Sequence, residues 1–375
     1  MNLAERVIDL AIQIQQIPAP TFEESKRAEF VRALFARENL DNVSMDETGN
    51  VFARLTGSGN GKPLIVSAHL DTVFPADTDL RVTRRSGLIH GPGLGDNSLG
   101  VAALFGLLWI LRERRFVSVG TPLSTTSSDI WFVANICEEG LGDLRGMKAV
   151  VDRFGADVQA YLVLEGLSLG YVYNRAVGVK RYRITAKTAG GHSWSDYGKP
   201  SAIHELSRLI MELTSLELPS HPRTTMNVGK ISGGTSVNVI ASEAWMELDL
   251  RSEGQESLAE LVRVVEKIIR DGTKPEVKFE AEVIGQRPAG EMDANHPLIK
   301  LAVACLHEQG LDAVLTSGST DANIPLSKGY PAVVLGVTTG GGGHTVNEFI
   351  NTEPVEKGLE QLVRFAERVW GIGKA

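Results

Sequence analysis

The sequence predicts an α/β fold in two domains: a three-layer domain on a largely parallel sheet, and a smaller domain inserted into it. Strands alternate with helices along most of the chain, which is the pattern of βαβ units. The alternation breaks near Val177 and resumes near Pro297. A chain of 375 residues, 43% of them hydrophobic, is long enough for about two domains.

Apolar periodicity places the elements of the larger domain on both sides of the insertion. Before it, we predict helices over 3–15, 22–37, 99–114 and 143–154, and strands over 51–55, 63–70, 130–137 and 161–164. After it, we predict a helix from Pro297, a short strand over 332–336 and a last helix over 354–369. The larger domain therefore comprises residues 1–176 and 289–375.

The inserted segment, residues 177–288, begins with the alternating run VKRYRITAKT. We predict that a helix follows over 202–213, then strands over 224–231 and 236–250, a helix over 256–271 and a strand over 277–284. This β-α-β-β-α-β order is the split βαβ arrangement of a small independent domain.

Composition excludes several classes of function. The net charge is −8 and the sequence contains no basic block, so we expect no nucleic-acid partner. The longest apolar run, residues 100–111, is shorter than the roughly 18 residues of a membrane span, and the first residues are charged, unlike a signal peptide. We expect a soluble, cytoplasmic protein with no membrane partner, whose two cysteines, Cys137 and Cys305, are buried thiols.

The acidic residues and histidines cluster where predicted strands end. They are His69 and Asp71 after LIVSAHLD, Asp96 in GPGLGDNS, Glu138 and Glu139 in IWFVANICEE, Glu165 after YLVLE, and His344 after a glycine-rich loop. In an open α/β sheet the ligand crevice lies outside the carboxyl ends of the strands, so these side chains are expected to converge there. Imidazoles and carboxylates together suit zinc, and also accept cobalt or manganese.

Each motif alone also has a purely structural interpretation. His69 and Asp71 are consistent with a strand-end histidine that is hydrogen-bonded to a turn aspartate, and Glu138 with Glu139 is consistent with a solvated turn. Asp96 beside glycines is consistent with a turn or a helix N-cap. The metal site is favoured because ligand-type residues follow four separate, strongly apolar strands.

At this point the sequence resembles a known family: the co-catalytic dizinc metallopeptidases that include glutamate carboxypeptidase, the aminoacylases, the acetylornithine and succinyl-diaminopimelate deacylases, and peptidase T. The matching motifs are SAHLDTVFP (67–75), GPGLGDNSLG (91–100), CEEGLGDLRG (137–146), LVLEG (162–166), GGHS (190–193), NVI (238–240), STDA (319–322) and GGHT (342–345). The resemblance implies an α/β/α zinc-peptidase catalytic domain, an inserted ferredoxin-like α+β lid domain and a homodimer. It also implies hydrolysis of a peptide or amide bond by a water activated by two divalent metal ions, most often zinc.

The resemblance implies a role for each residue of the cluster. Asp96 bridges two metals, His69 and Glu165 complete the shell of one, and Glu139 and His344 complete the shell of the other. Asp71 orients His69, because a ligating imidazole usually donates its second N–H to an acceptor that fixes its tautomer. Glu138 is the general base, which takes a proton from the attacking water and passes it to the leaving amine.

Four further residues of the insertion match family positions. His192 corresponds to the histidine that reaches the active site of the neighbouring subunit and helps to hold the oxyanion, although it is also consistent with a cap on a glycine turn. Asn238 and Arg251 correspond to positions that bind a substrate carboxylate, and Arg287 is near a second such position. A guanidinium forms the bidentate contact that a free carboxylate prefers, although Arg251 is also consistent with a surface ion pair.

The sequence leaves the substrate open. Glu165 is a glutamate where the aminopeptidase-like branch tends to have aspartate, which favours substrates with a free carboxylate beside the scissile amide, as in carboxypeptidases and dipeptidases. A deacylase of N-acyl amino acids and an aminopeptidase or tripeptidase are the alternatives. Asn97-Ser98 departs from the Met-Lys or Asp-Lys pair of many members, so this loop does not assign the subgroup.

Two rival functions belong to other classes. The run Gly166–Gly170 reads G-x-S-x-G, with Asp321 and His344 downstream, which is the order of a serine hydrolase with Ser168 as nucleophile. That motif requires a helix after the serine, whereas YVYNRAVGVKRYRI is strand-like. A non-catalytic binding protein on the same scaffold would lack a metal ligand or the general base. Glu138 and all five candidate ligands are present in this sequence.

Overall fold

A computed structural model describes residues 2–117 and 127–372 of the chain. It divides into two compact units, Met1–Ala176 with Glu291–Ala375, and Val177–Gly290. The sequence places the end of the insertion at 288, and the unit ends at Gly290.

The chain up to Ala176 contains four helices and eight strands within its described residues. The helices are α1 (Leu3–Gln15), α2 (Ser25–Arg37), α3 (Gly100–Val117) and α4 (Arg145–Phe154). The strands are β1 (Asp41–Met45), β2 (Val51–Leu55), β3 (Leu64–His69), β4 (Thr83–Arg85), β5 (Leu88–His90), β6 (Ile130–Asn135), β7 (Ala160–Glu165) and β8 (Tyr171–Ala176). A π-helical turn over Leu94–Leu99 leads directly into α3.

The Val177–Gly290 unit is an antiparallel sheet covered on one face by two helices. Its elements are β9 (Gly178–Lys187), β10 (Gly191–His192), α5 (Ala202–Thr214), β11 (Thr224–Gly233), β12 (Val239–Ile240), β13 (Glu243–Ser252), α6 (Gln255–Gly272) and β14 (Lys278–Arg287). The main sheet has the order β11-β13-β9-β14, and β10 pairs separately with β12. Alternate residues of β9 and β13 face α5 and α6, so Tyr182, Ile184, Met246 and Leu248 are buried in this unit's own core.

The rest of the chain completes the larger unit. Its elements are β15 (Gly290–Glu291), α7 (Pro297–His307), β16 (Val314–Gly318), α8 (Asn323–Ser327), β17 (Ala332–Gly336), β18 (Gly340–Gly341), β19 (Phe349–Asn351), α9 (Val355–Arg368) and a 3-10 turn over Val369–Gly371. The main sheet has the order β1-β2-β6-β3-β7-β17-β8-β15, with β16 also on β8. A small antiparallel sheet has the order β18-β19-β5-β4.

The main sheet is mixed, which corrects the expectation of a largely parallel one. Its centre, β6-β3-β7-β17, is parallel, whereas β1, β2 and β8 run antiparallel to their inner neighbours. The loop between β1 and β2 is short and includes Gly49 at φ +108°, and a connection of that length permits only a hairpin. The predicted single strand over 236–250 is also wrong, because Val237 and Asn238 form a turn and the non-strand residues Ala241 and Ser242 separate β12 from β13.

Helix α3 with its preceding turn, Leu94–Arg114, is long and apolar enough to cross a membrane by length and composition. Most of it is buried among the other helices and the main sheet, as is typical of the central helix of a globular core. This burial also explains its sequence: GVAALFGLLWIL is apolar on all sides because little of the helix faces solvent.

Candidate active site

The parallel centre of the main sheet brings the predicted ligands together at its carboxyl edge. His69 is the last residue of β3, Glu165 is the last residue of β7, and Glu138 and Glu139 follow β6. Asp96 lies in the π-helical turn before α3, and His344 lies between β18 and β19. Residues separated by up to 275 positions therefore meet, because parallel strands end at one edge.

Asp96 is the centre of this cluster. Its Oδ1 lies 3.1 Å from His69 Nε2, and its Oδ2 lies 3.1 Å from His344 Nε2. His344 Nε2 is also 3.2 Å from Glu139 Oε1, and His69 Nε2 is 3.8 Å from Glu165 Oε2. The two carboxylate oxygens thus face two different imidazoles, each with a second carboxylate beside it.

Three groups of possible ligands have donor atoms within 4.8 Å of one another. Two of these groups share Asp96: one adds His69 and Glu165, and the other adds Glu139 and His344. The third contains His69, Glu138 and Glu139. Glu138 is therefore next to both candidate centres without belonging to either of the groups that share Asp96.

Asp71 anchors the loop after β6 as well as the imidazole of His69. Its Oδ1 accepts a hydrogen bond from the Glu138 N–H at 2.9 Å, and its Oδ2 accepts from the Glu139 N–H at 2.9 Å and from Thr21 Oγ1 at 2.9 Å. His69 Nδ1 lies 3.0 Å from the main-chain carbonyl of Asp71 and 3.6 Å from its carboxylate. The orienting partner of the imidazole is thus chiefly the backbone of Asp71.

Two buried polar side chains hold the backbone next to the ligands. Asn97 donates through Nδ2 to Leu164 O at 2.8 Å and accepts from the Gly166 N–H at 2.8 Å, so it binds the peptide groups on both sides of Glu165. Arg27 donates to Leu70 O at 2.6 Å, immediately after His69, and burial lowers the pKa of its guanidinium to about 10. Asn97, which differs from the residue that many family members have at this position, therefore holds the backbone around Glu165 in this protein.

Glu348 is a site residue that sequence reasoning missed. It is fully buried, and its carboxylate accepts hydrogen bonds from the backbone N–H groups of Gly93 (3.0 Å), Gly95 (2.6 Å) and Asp96 (2.9 Å). Burial raises its pKa to about 7 despite these bonds. It lies four residues after His344, so it connects the Asp96 turn to the His344 loop. An acidic residue so close to a candidate ligand was the only signal in the sequence.

The electrostatics of the cluster favour cations. Burial disfavours an imidazolium at His69, yet hydrogen bonds and the charges of neighbouring carboxylates raise its pKa well above the usual value. Hydrogen bonds with Asp96 and Glu139 raise the pKa of His344 to about 10. Burial and the nearby carboxylates raise the pKa of Glu165. At the two histidines the neighbouring carboxylates therefore favour positive charge.

This donor set fits a pair of divalent metal ions. Metal ligands bind in their deprotonated forms, and ions of charge +2 offset clustered carboxylates better than protons do. Two imidazoles with carboxylate oxygens, arranged as two groups that share one bridging carboxylate, are the ligand types of hydrolytic two-metal centres. The residues that would hold the metals are His69, Asp96, Glu139, Glu165 and His344.

The predicted residues of the inserted unit lie in two places within it. His192, in β10, is exposed, and Asn238 directly precedes its pairing partner Val239. Arg251 in β13 and Arg287 in β14 both pair with Val179 of β9, so they lie in one row across the sheet. Arg251 Nε forms an ion pair with Asp249 Oδ2 at 2.6 Å, whereas Arg287 is buried.

The serine-hydrolase alternative is not supported. The segment after Ser168 is β8 rather than the required helix, and Ser168 Oγ accepts a hydrogen bond from Tyr173 Oη at 2.9 Å. The two cysteines are buried free thiols, as expected, and burial raises their pKa values to about 12 for Cys137 and about 11 for Cys305.

Residues 65–368 match the model of peptidase family M20/M25/M40. The chain belongs to this family. It is therefore a hydrolase of peptide or amide bonds, which confirms the family resemblance, the enzyme class and the general reaction expected from the sequence.

Relatives in the family agree with this fold. A succinyl-diaminopimelate desuccinylase from Corynebacterium glutamicum is 26% identical over 280 residues, which cover 72% of this chain and 73% of the relative. A tripeptidase structure from Staphylococcus aureus superposes with a TM-score of 0.82 at 22% identity, covering 98% of both chains. The structure of a dinuclear metal-binding M20 peptidase from Bacillus subtilis superposes with a TM-score of 0.69 at 18% identity, covering 100% of this chain and 99% of the other.

Proposed function

We propose that the chain is a two-zinc peptidase that cleaves the amide bond next to a free carboxylate, in the manner of a carboxypeptidase or dipeptidase. The observation that carries the proposal is the Asp96 carboxylate, whose two oxygens are each 3.1 Å from a different histidine. In this proposal Asp96 bridges two metal sites, one completed by His69 and Glu165 and the other by Glu139 and His344.

The reaction then divides between the metals and the chain. When bound, the two ions polarise the scissile carbonyl and lower the pKa of the attacking water. The Glu138 carboxylate accepts the proton of that water and transfers it to the leaving nitrogen. Asp71 supports this step, because its carboxylate accepts the N–H of Glu138 at 2.9 Å and so fixes the backbone from which the base projects.

The preference for a free carboxylate rests on Glu165, Asn238 and Arg251. The Arg251 side chain is 43% exposed, and its contact with Asp249 uses only Nε. A guanidinium in this state has terminal nitrogens with which to bind a carboxylate through two parallel hydrogen bonds. Arg287 lies in the same row of the sheet, two strands away across β9, and adds a second positive charge to that row.

A deacylase of N-acyl amino acids is the second candidate. Its support is the Corynebacterium glutamicum relative, a desuccinylase, which has the highest identity among the relatives described above. An N-acyl amino acid also has a free carboxylate beside the scissile amide, on its amino-acid part, so Arg251 serves either substrate.

We also propose a homodimer in which His192 acts in the neighbouring subunit. β11 is an edge strand of its sheet, and most of its residues are exposed, with Ile231 at 57%. Near His192, Trp194 and Tyr197 are 88% and 92% exposed, which is unusual for aromatic side chains. Sedimentation tests the dimer, and mixing inactive His192→Ala with inactive Glu138→Gln subunits should restore activity through hybrid dimers. A fully active monomer would exclude this arrangement.

The decisive experiment on substrate class is a screen with the zinc-reconstituted protein. Dipeptides, tripeptides, C-terminally amidated peptides, and N-acetyl and N-succinyl amino acids are compared by kcat/KM, with the metal content measured in the same samples. We expect dipeptides with a free carboxylate to be preferred. Preference for amidated or amino-terminal substrates would assign the aminopeptidase branch instead.

Cytoplasmic location stays a prediction, which cell fractionation tests.

A further inference from the structure

The imidazole of His192 caps the turn that follows β10. Its Nδ1 atom accepts hydrogen bonds from the backbone N–H groups of Trp194 at 3.2 Å and Ser195 at 3.4 Å. A ring nitrogen that accepts hydrogen bonds carries no proton, so the neutral imidazole has its proton on Nε2. The fold of the turn therefore selects one of the two tautomers of His192.

Asp196 closes the same turn. Its Oδ2 accepts the backbone N–H of His192 at 2.8 Å, and its own backbone N–H donates to His192 O at 3.0 Å. Lys199 Nζ donates to Asp196 Oδ1 at 2.7 Å, so both carboxylate oxygens are bonded. The hydrogen bond from Lys199, together with that from the His192 N–H, lowers the pKa of Asp196, which is therefore ionised at neutral pH. Asp196 thus holds the backbone from which the imidazole projects.

The backbone beside this turn is shaped to accept the carboxylate. A Cβ atom at Gly191 would lie only 2.9 Å from the Cβ and Oδ2 atoms of Asp196, so a glycine is required for the carboxylate to come this close. On the other side β10 pairs with β12, and Ser193 N–H donates to Asn238 O at 3.1 Å. The turn is therefore fixed by a strand on one side and by Asp196 on the other.

The second ring nitrogen of His192 remains available to a ligand. The residue is exposed, and within residues 2–117 and 127–372 its Nε2 atom makes no hydrogen bond. The sequence is consistent with two roles for His192, a cap on a glycine turn and a donor to the oxyanion. These roles use different nitrogens of the ring, so the cap does not exclude the donor but orients it.

We propose that Asp196 is a positioning residue, which holds the turn so that His192 donates a hydrogen bond from Nε2 to the carbonyl oxygen of the substrate. This inference rests on the proposed function, in which His192 acts on that oxygen in the neighbouring subunit. A donor that is oriented before the reaction stabilises the negative charge as it develops, with no cost of reorganisation. Asp196 itself contacts neither substrate nor metal in this proposal.

Two replacements of His192 separate the donor from the cap. His192→Asn keeps an acceptor near the position of Nδ1 and removes the donor, whereas His192→Gln places an NH₂ donor near the position of Nε2 and removes the cap. We expect His192→Asn to lower kcat about 10²-fold or more, as loss of an oxyanion donor does, and His192→Gln to retain more activity. Metal content should be native in both. An asparagine variant at least as active as the glutamine variant would show that His192 only caps the turn, and would overturn the proposal.

Asp196→Ala tests the positioning role, with Asp271→Ala as the matched control. Asp271 is also an exposed-surface aspartate of this unit that is paired with a lysine, Lys267, at 2.6 Å. We expect Asp196→Ala to lower kcat about tenfold or more with KM nearly unchanged, because misplacement of a group at the reacting atoms costs up to ~10²-fold. Asp271→Ala should change neither constant.

The tautomer of His192 is a readout that does not depend on activity. In the zinc-reconstituted full chain with 15N-labelled histidine, NMR at a pH where the ring is neutral should show the proton of His192 on Nε2. In Asp196→Ala we expect a mixture of the two tautomers. A native His192 with its proton on Nδ1, or an unchanged kcat in Asp196→Ala, would overturn this inference alone. Absence of zinc-dependent hydrolysis by the native protein would instead overturn the proposed function.

Discussion

Replacement of Glu348 by glutamine tests whether this carboxylate positions the Asp96 turn. The native carboxylate accepts three backbone N–H groups, two at Oε1 and one at Oε2. A glutamine keeps the Oε1 acceptor for Gly95 and Asp96, but its amide NH₂ then faces the N–H of Gly93. One charge-assisted bond is lost and a buried donor is left unsatisfied, so we expect a destabilisation of about 2–4 kcal/mol.

The same change should weaken metal binding. Residues that support metal ligands through hydrogen bonds typically alter affinity about 10–100-fold when mutated. We therefore expect Glu348→Gln to lose both ions at chelator concentrations that the native protein tolerates, because Asp96 lies in both proposed sites. Urea denaturation of metal-free protein measures the first effect, and metal analysis after dialysis against graded chelator measures the second.

Glu353→Gln is the matched control, since Glu353 is exposed and only five residues along the chain. It should change neither the free energy of unfolding nor the metal content. If Glu348→Gln proves as stable as the native protein and binds both ions equally tightly, the three hydrogen bonds do not position Asp96, and the reasoning from them is wrong.

Four further predictions follow from the site and the sheet of the inserted unit. Glu138→Gln should lower the rate at least ~10²-fold with metal content unchanged; metal loss here, with none in Glu139→Gln, would reverse their roles. Exhaustive chelation should abolish activity and lower the unfolding temperature, with zinc restoring both; full activity without metal would contradict the two-metal site. Arg251→Ala should reduce kcat/KM about tenfold or more on free-acid substrates and little on amidated ones, whereas equal losses would mean a structural role. Burial opposes ionisation of Asp249, but hydrogen bonds from Arg251 and Arg181 lower its pKa below 3.8. The ionised Asp249 should therefore stabilise the folded protein above that pH, and this contribution should decline as the pH falls. If urea titrations show a difference in unfolding free energy between the native protein and Asp249→Asn that does not change with pH, this reasoning is wrong.

The sequence alone determined the family, the α/β class and the position of each candidate ligand along the chain. These features are local. A buried parallel strand is a continuous apolar run, and a ligand at its carboxyl end is the next polar residue, so His69 and Glu165 are recognisable from a few neighbouring letters. The elements of the inserted unit could also be predicted, because its β-α-β-β-α-β order follows from successive changes in the period of its apolar residues.

The tertiary structure alone decided which groups support those ligands. Asn97 binds on both sides of Glu165 across 67 and 69 positions, and Glu348 reaches the Asp96 turn across 252. Hydrogen bonds between residues so distant in sequence produce no repeating pattern of residue types, so the sequence does not reveal them. Strand direction was decided in the same way for β2 and β8, which join β6 and β17 as antiparallel neighbours through pairings that their own apolar residues do not specify.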